Sequence, residues 1–443
     1  MTPGLAFFEA GLLRSRNSIS ILMQCWAGLC ILSTLWYIIG YTLALGPDAG
    51  DAGIIGNLDH IFFVGIETDD AGEHVNAAGI PLTVFATFQM MFAVITPLLI
   101  TGAFSERVEF GAFVAFIILW SILIYYPVCH WVWGGGWLTT IGGDNGGAVD
   151  FAGGIVIHTT AGVSSLVVAL VLGPRKGFDP SSTSWNTEAR PHSIPLATIG
   201  AAMLWMGWFG FNAGSALGSG ATPGHTLLAT HIAACTCGIV WTMMSKIEDG
   251  KPSIVASLNG VIAGLAGVTP ASGFITSQSA FFLGIVLGFA SYYSVKLLKG
   301  KFKIDDALDV SSVHGCTGVV GSLAVGFIGD QARVTGAAGA DVYGLFFGGG
   351  AHLLLWQTIA VLVAGLWSAL WTWIICKVLE KTTGFRVTEE QEEAGLDESL
   401  HGETSRILDM SPNAVSPKSA GLTGPVPEEL GLDKAPVPAT ASA

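Results

Sequence analysis

Long apolar runs separated by short polar connections organise this chain. Stretches at about 19–45, 80–104, 111–130, 150–173, 193–217, 225–245, 253–270, 277–297, 308–329 and 350–376 carry almost no charge. Each approaches the roughly 20 helical residues that cross a bilayer core of about 30 Å. Met1 to Leu12 is apolar as well, but about 12 helical residues reach only about 18 Å. It is expected to be a partial span, or the second half of a helix whose start lies upstream; no charged n-region and cleavage site marks it as a signal peptide. The pattern predicts an all-α polytopic membrane protein with eleven transmembrane helices, the first one truncated.

The basic residues give the spans a direction. Arg14 and Arg16, Arg107, the 174–192 loop, Lys246 and Lys251, the KLLKGKFK run, and Lys377, Lys381 and Arg386 fall at every second connection, and the other connections carry only Arg333. By the positive-inside rule this places the N-terminus outside and the C-terminus in the cytoplasm of a cell in whose plasma membrane the chain lies. Composition agrees with lipid: 51% hydrophobic, 12% charged, about half the charge of a soluble domain. The net charge of −14 comes mainly from the 46–78 loop and the tail and gives no reason to expect nucleic acid. The seven cysteines are scattered through apolar spans and read as small buried hydrophobes. No metal or cofactor is expected.

One pattern occurs twice. Asp150 to Gly162 (DFAGGIVIHTTAG) and Asp306 to Gly318 (DALDVSSVHGCTG) share an acid, a histidine and a glycine at equal spacing. They fall in the fifth and tenth spans, so the repeat unit is five crossings and its two copies run in opposite directions. That is the inverted-repeat architecture of many transporters, with the solute path between the halves. The expected layout is a membrane domain at 1–380, with repeat one at about 1–173, repeat two at about 193–329 and a final helix at about 350–379. Residues 381–443 are expected to be an acidic, largely disordered cytoplasmic tail, with Pro/Ala/Ser-rich sequence from about Ser411.

The duplicated histidines carry the clearest chemistry. One histidine in a membrane helix is as readily a packed residue as a functional one. His158 and His314, related by the inverted repeat, are expected to meet between the halves and to mark a solute or proton path. Two histidines without a third ligand are poor evidence for zinc. Asp150 opens a span and suits a cap on free backbone N–H groups more than a cation ligand. Trp131, Trp133, Trp137, Trp205 and Trp208 read mainly as an interfacial belt. Ser215, one turn past Phe211, adds a hydroxyl to a ring face, a pair that attracts a small cation; periodicity leaves both readings open. Glu9 receives no pore role.

DFAGGIVIH, GWFGFNAGSAL, VWGGGWL, FQMMFAVIT with GAFSERVEF, GVTPASG and DDALDVSSVHG together resemble the ammonium transporters of the Amt/Mep/Rh superfamily, on the Amt side, from about Met1 to about Glu403. The resemblance implies a homotrimer with one pore per subunit that carries ammonium or ammonia. It implies an outer recruitment site at Trp133, Phe92 and Ser215 with Trp208 beside it, and a gate of stacked Phe92 and Phe211. His158 and His314 would line the pore, Thr269 would lie on the same path, and Asp150 would order the outer vestibule without touching the ion. It further implies a tail segment up to about Glu403 that packs on a neighbouring subunit, with Ser399 at a phosphorylatable position. In a prokaryote, a soluble regulator of the PII type is a partner the resemblance allows. Ser311 and Ser312 stand where many relatives have bulkier residues, which predicts a wetter inner end of the pore.

The leading expectation is therefore ammonium transport, in which ammonium is deprotonated and ammonia passes along the histidines. The alternative is an ammonium sensor with little flux. No nucleophile–base set is evident, so the chain is not expected to be an enzyme.

Overall fold

The computed structural model describes residues 1–67, 78–143, 146–179, 191–335 and 342–404. These residues are helical, and beyond isolated bridges they form no strand. Helices occupy each of the predicted stretches: α1 (Thr2–Leu12), α2 (Ser15–Leu45), α3 (Leu82–Phe104), α4 (Phe110–Thr140), α5 (Gly154–Leu172), α6 (Ile194–Gly214) and α7 (Ala221–Asp249). There follow α8 (Ile254–Val268), α9 (Ser277–Lys301), α10 (Ser311–Ile328) and α11 (His352–Thr382). Among the described residues nine are long and apolar enough to cross a membrane; α1 and α8 are shorter. Two small helices follow, α12 (Glu389–Ala394) and α13 (Leu396–His401). Sequence beyond residue 404, including the Pro/Ala/Ser-rich part of the expected tail, lies outside the described residues, as does Arg190.

The centre of the fold is the crossing of α5 and α10, and glycine makes it. A Cβ added to Gly162 would stand 2.1 Å from the Gly315 Cα, and one on Gly318 would stand 2.8 Å from the His158 Cβ. The two contacts are reciprocal: the glycine one turn after each histidine touches the other helix at or beside its histidine. Small residues permit such backbone approach where there is no water to exclude. Both helices also open with a wide π-type turn, Gly154–Thr159 and Ser311–Cys316, and each contains its histidine. In the first, the His158 N–H reaches back to the Gly153 carbonyl at 3.0 Å. The same irregularity recurs at both duplicated positions, and further π-turns stand at Trp36–Gly40, Ser121–Tyr125 and Lys296–Lys301.

The loops at the basic end are tied by buried ion pairs. Arg14 donates to Glu106 through Nε and Nη2 (2.9 and 2.6 Å), and Arg175 bridges Glu106 (3.0 Å) to Asp305 (2.8 Å). Arg107, fully buried, donates to the same Asp305 at 2.8 Å. Burial alone would raise the Glu106 carboxyl, but the Arg175 and Arg14 guanidiniums beside it hold it down at about 2. Asp305 is held below the usual carboxylate range by Arg175 and Arg107 against the same burial. Each charge is paired, which is what makes such burial tolerable.

Residues 385–401 pack on their own chain at this end. Arg386 donates to the Leu172 and Pro174 carbonyls (2.6 and 2.8 Å) and to Glu392 (2.8 Å). Asp397 accepts from the Ser20 N–H at 2.8 Å, and Asn17 accepts from the Leu396 N–H at 2.8 Å. This part of the tail is therefore built structure in contact with α2 and the 173–176 loop.

Candidate functional site

Asp150 fixes the start of α5. Its two carboxylate oxygens accept the N–H groups of Gly153, Gly154, Ile155 and Val156 at 2.7–3.1 Å. These are N–H groups that a helix start leaves unbonded, and negative charge is favoured there. Gly153 sits at φ +121°, which only glycine adopts easily. The Asp150 carbonyl also accepts the Trp133 indole N–H at 2.8 Å. One residue thus sets both the α5 entrance and the Trp133 ring.

Aromatic rings follow in contact. Trp133 meets Phe92 edge-on, with centroids 5.9 Å apart at 86°. Phe92 lies on Phe211 with centroids 4.3 Å apart and planes 33° from parallel, and Phe88 closes against Phe92 at 4.8 Å. Phe92 and Phe211 are buried while Trp133 is half-buried. The Ser215 hydroxyl donates to the Phe211 carbonyl at 2.8 Å. With its one proton committed, its oxygen lone pairs are left to accept.

Behind the phenylalanines the two histidines meet. The Nδ1 atoms of His158 and His314 are 3.2 Å apart, and the rings are 24° from parallel. One Nδ1 must carry the proton and the other the lone pair, so the rings hold opposite tautomers. His158 Nε2 has no hydrogen-bond partner among the described residues. Both rings face a narrow cavity whose other walls include Phe211, Ile95, Leu204 and Ile262. A second cavity continues past His314 to Glu9, Asn259 and Val313.

Trp208 and Thr269 stand together in the structure. Trp208, expected at the outer site or in an interfacial belt, is buried on the histidine side of the phenylalanines. Its ring is 5.6 Å from His158 and lies 8° from the plane of His314. Thr269, expected on the path, is the residue that holds Trp208: its Oγ1 accepts the indole N–H at 3.0 Å and donates to the Leu265 carbonyl at 2.8 Å. Trp131 is likewise buried and not part of a belt, its N–H bound to the Ile54 carbonyl at 2.7 Å. Glu9, given no pore role from sequence, lines the inner cavity. The signal available in advance was its place in an apolar helix, where an ionisable residue is costly and usually functional.

Ser399 lies in α13, its hydroxyl donating to the Gly395 carbonyl at 2.7 Å. Among the described residues no three His, Cys, Asp or Glu side chains gather as a metal set.

Comparisons with known proteins agree over nearly the whole fold. Residues 1–406 match the model of the Ammonium Transporter Family. The chain is 52% identical over 404 residues to Ammonium transporter 1 of Dictyostelium discoideum, covering 91% of this chain and 83% of that one. It is 40% identical over 403 residues to an ammonium transporter of Bacillus subtilis, covering 91% and 94%. Among solved structures it is similar to Mep2 of Saccharomyces cerevisiae (TM-score 0.76, 31% identity, 88% and 87% covered). It is also similar to a protein described as a sensor Amt protein (TM-score 0.79, 28% identity, 90% and 94% covered).

Proposed function

This chain belongs to the ammonium transporter family, a multi-pass membrane protein, and from that premise we propose how its residues move ammonium. Ammonium is recruited from outside at Trp133, Phe92 and Ser215. The ring faces attract its charge, and the Ser215 oxygen accepts one of its four N–H groups. The observation that carries the reading is the continuous line Trp133, Phe92, Phe211, His158, His314, which ends in a cavity walled mainly by hydrocarbon.

A bare cation in such a cavity is costly. Ammonium escapes that cost by leaving its proton behind, and potassium has none to leave. Ammonia, both donor and acceptor, then hydrogen-bonds along the imidazoles inside the Phe92/Phe211 gate. Trp208 supplies a flat wall that holds the histidine rings in register, and Thr269 holds Trp208. Asp150 orders the entrance through Trp133 and the start of α5 without touching the ion. In this reading the chain is a homotrimer in the plasma membrane, one pore per subunit, with its N-terminus outside and residues 381–443 in the cytoplasm. A PII-type protein is the regulator to look for on that face if the source is prokaryotic.

The test is growth and uptake in cells lacking their own ammonium transporters, at low ammonium and a pH where free ammonia is scarce. Uptake by the parent, with lost uptake or lost selectivity against potassium in His158→Ala, supports a histidine-lined transport pore. The second reading, an ammonium sensor, is favoured if the parent reaches the membrane as a trimer and binds ammonium yet gives no uptake.

A further inference from the structure

We propose that Glu9 is the proton acceptor at the inner end of the pore, receiving from His314 the proton that ammonium leaves behind and releasing it toward the basic face. The inference rests on the transport reading above and decides what that reading leaves open, the fate of the proton.

Glu9 is almost fully buried in α1. It shares the inner cavity with His314 and Asn259, and His314 is the residue that lines both this cavity and the one beneath Phe211. The carboxyl therefore stands next along the same walls after the imidazole pair. The other polar groups around it are Thr101, the Gly102 N–H and Cys25 on α2.

Thr101 suits a group that changes protonation state. Its Oγ1 is 2.7 Å from Glu9 Oε2 and 2.5 Å from the Leu98 carbonyl. A hydroxyl has one proton to give. Donated to Glu9, it stabilises the carboxylate. Donated to Leu98, it leaves an oxygen that accepts the proton of a neutral Glu9. The same two atoms therefore satisfy both forms of the acid, and neither form leaves a buried group unpaired. A carboxyl that only filled space would gain nothing from a partner able to serve it both ways.

The transfer balances. The N–H bond of ammonium breaks, its electron pair stays on ammonia, and the proton bonds to His158 Nε2. His158 releases its Nδ1 proton to the Nδ1 lone pair of His314. His314 releases its Nε2 proton, through water in the inner cavity, to a Glu9 carboxylate oxygen. Neutral Glu9 then loses that proton to water or ammonia at the basic face. Exchange of both rings to the other tautomer restores the starting state, and one positive charge has crossed with each ammonia.

The experiment uses the full chain reconstituted in liposomes. Charge movement after an ammonium jump is recorded on a supported membrane, and uptake is followed in the same vesicles with isotopically labelled ammonium. The parent is expected to give current and uptake together. Glu9→Gln, which keeps the shape and the bond from Thr101, is expected to lose the current and retain uptake, the proton of each ammonium then returning from His158 to the outer side, and Glu9→Asp to restore part of the current. An unchanged ratio of charge to ammonia in Glu9→Gln overturns the proposal. So does loss of current and uptake together in an intact Glu9→Gln trimer, which assigns Glu9 to packing. Uptake without current in the parent overturns it as well while leaving the transport reading standing; absence of uptake in the parent sinks the transport reading itself.

Discussion

The indole N–H of Trp208 is bound to the hydroxyl of Thr269 at 3.0 Å, and this single bond joins α6 to the end of α8 at the level of the histidines. Both partners are buried, so neither has water to fall back on. Thr269→Val keeps the shape and removes the acceptor, at a cost of about 1–3 kcal/mol for the orphaned donor. It is expected to lower the melting temperature in detergent and to reduce uptake by letting the Trp208 ring tilt off His158. Thr269→Ser, which retains the hydroxyl, is expected to behave nearly as the parent; a loss in Thr269→Ser as large as in Thr269→Val would show that the hydroxyl bond is not what sets the ring.

Gly162 and Gly318 are expected to be intolerant of alanine. At Gly162 the added methyl would meet backbone atoms of Gly315, which cannot turn aside. Overpacking in a filled core costs about 1–3 kcal/mol or more. Because the crossing also sets the 3.2 Å separation of the histidines, Gly162→Ala should lose uptake even where protein still reaches the membrane. Fluorescence-detected size exclusion and uptake on the same preparation separate the two effects.

Glu106 sets an acid limit. Its folded value of about 2 lies below the ordinary 4.5, so the pairing is fully present above about pH 4.5. It fades only as pH falls from there through about 2. Stability measured between pH 5 and 8 should be insensitive to this group. Glu106→Gln leaves Arg14 and Arg175 facing a neutral amide, and removing one partner of a buried pair costs about 3–5 kcal/mol. The expected readout is a large fall in melting temperature that acidification no longer deepens through Glu106.

Ser399 is a lever on the docked tail segment. Its hydroxyl is spent on the Gly395 carbonyl, and α12 and α13 carry Glu389, Glu390, Glu392, Glu393, Asp397 and Glu398. A further negative charge there is repelled by its neighbours. Ser399→Asp is expected to raise amide exchange across 385–404 and to change the transport rate. Exchange and transport both equal to the parent would remove Ser399 as a regulatory position.

Much of this protein is written in local sequence, because lipid imposes simple rules on it. A run of about 20 apolar residues must be helical in a bilayer, so the long spans could be placed from hydropathy. The repeated Asp-His-Gly skeleton identified His158 and His314 as partners before any distance was known, and Asp150 as a helix cap. FQMMF and GWFGFNAG marked Phe92 and Phe211, and the structure brings the two into contact.

Other properties depend on which helices touch, and periodicity is silent about that. Trp208 was expected in an interfacial belt or, by resemblance, beside the outer site; only the packing of α6 against α8 put its ring beside the histidines and its N–H on Thr269. The π-turns that hold both histidines are not readable from the periodicity of GIVIHT or SSVHGC. Arg14, Glu106, Arg175 and Asp305 are far apart in the chain, and only the fold makes them one network. Glu9 looked like an isolated acid in a short apolar helix. Burial beside His314 and Thr101 is a relation among α1, α3 and α10, and a relation among three helices is fixed by tertiary packing alone.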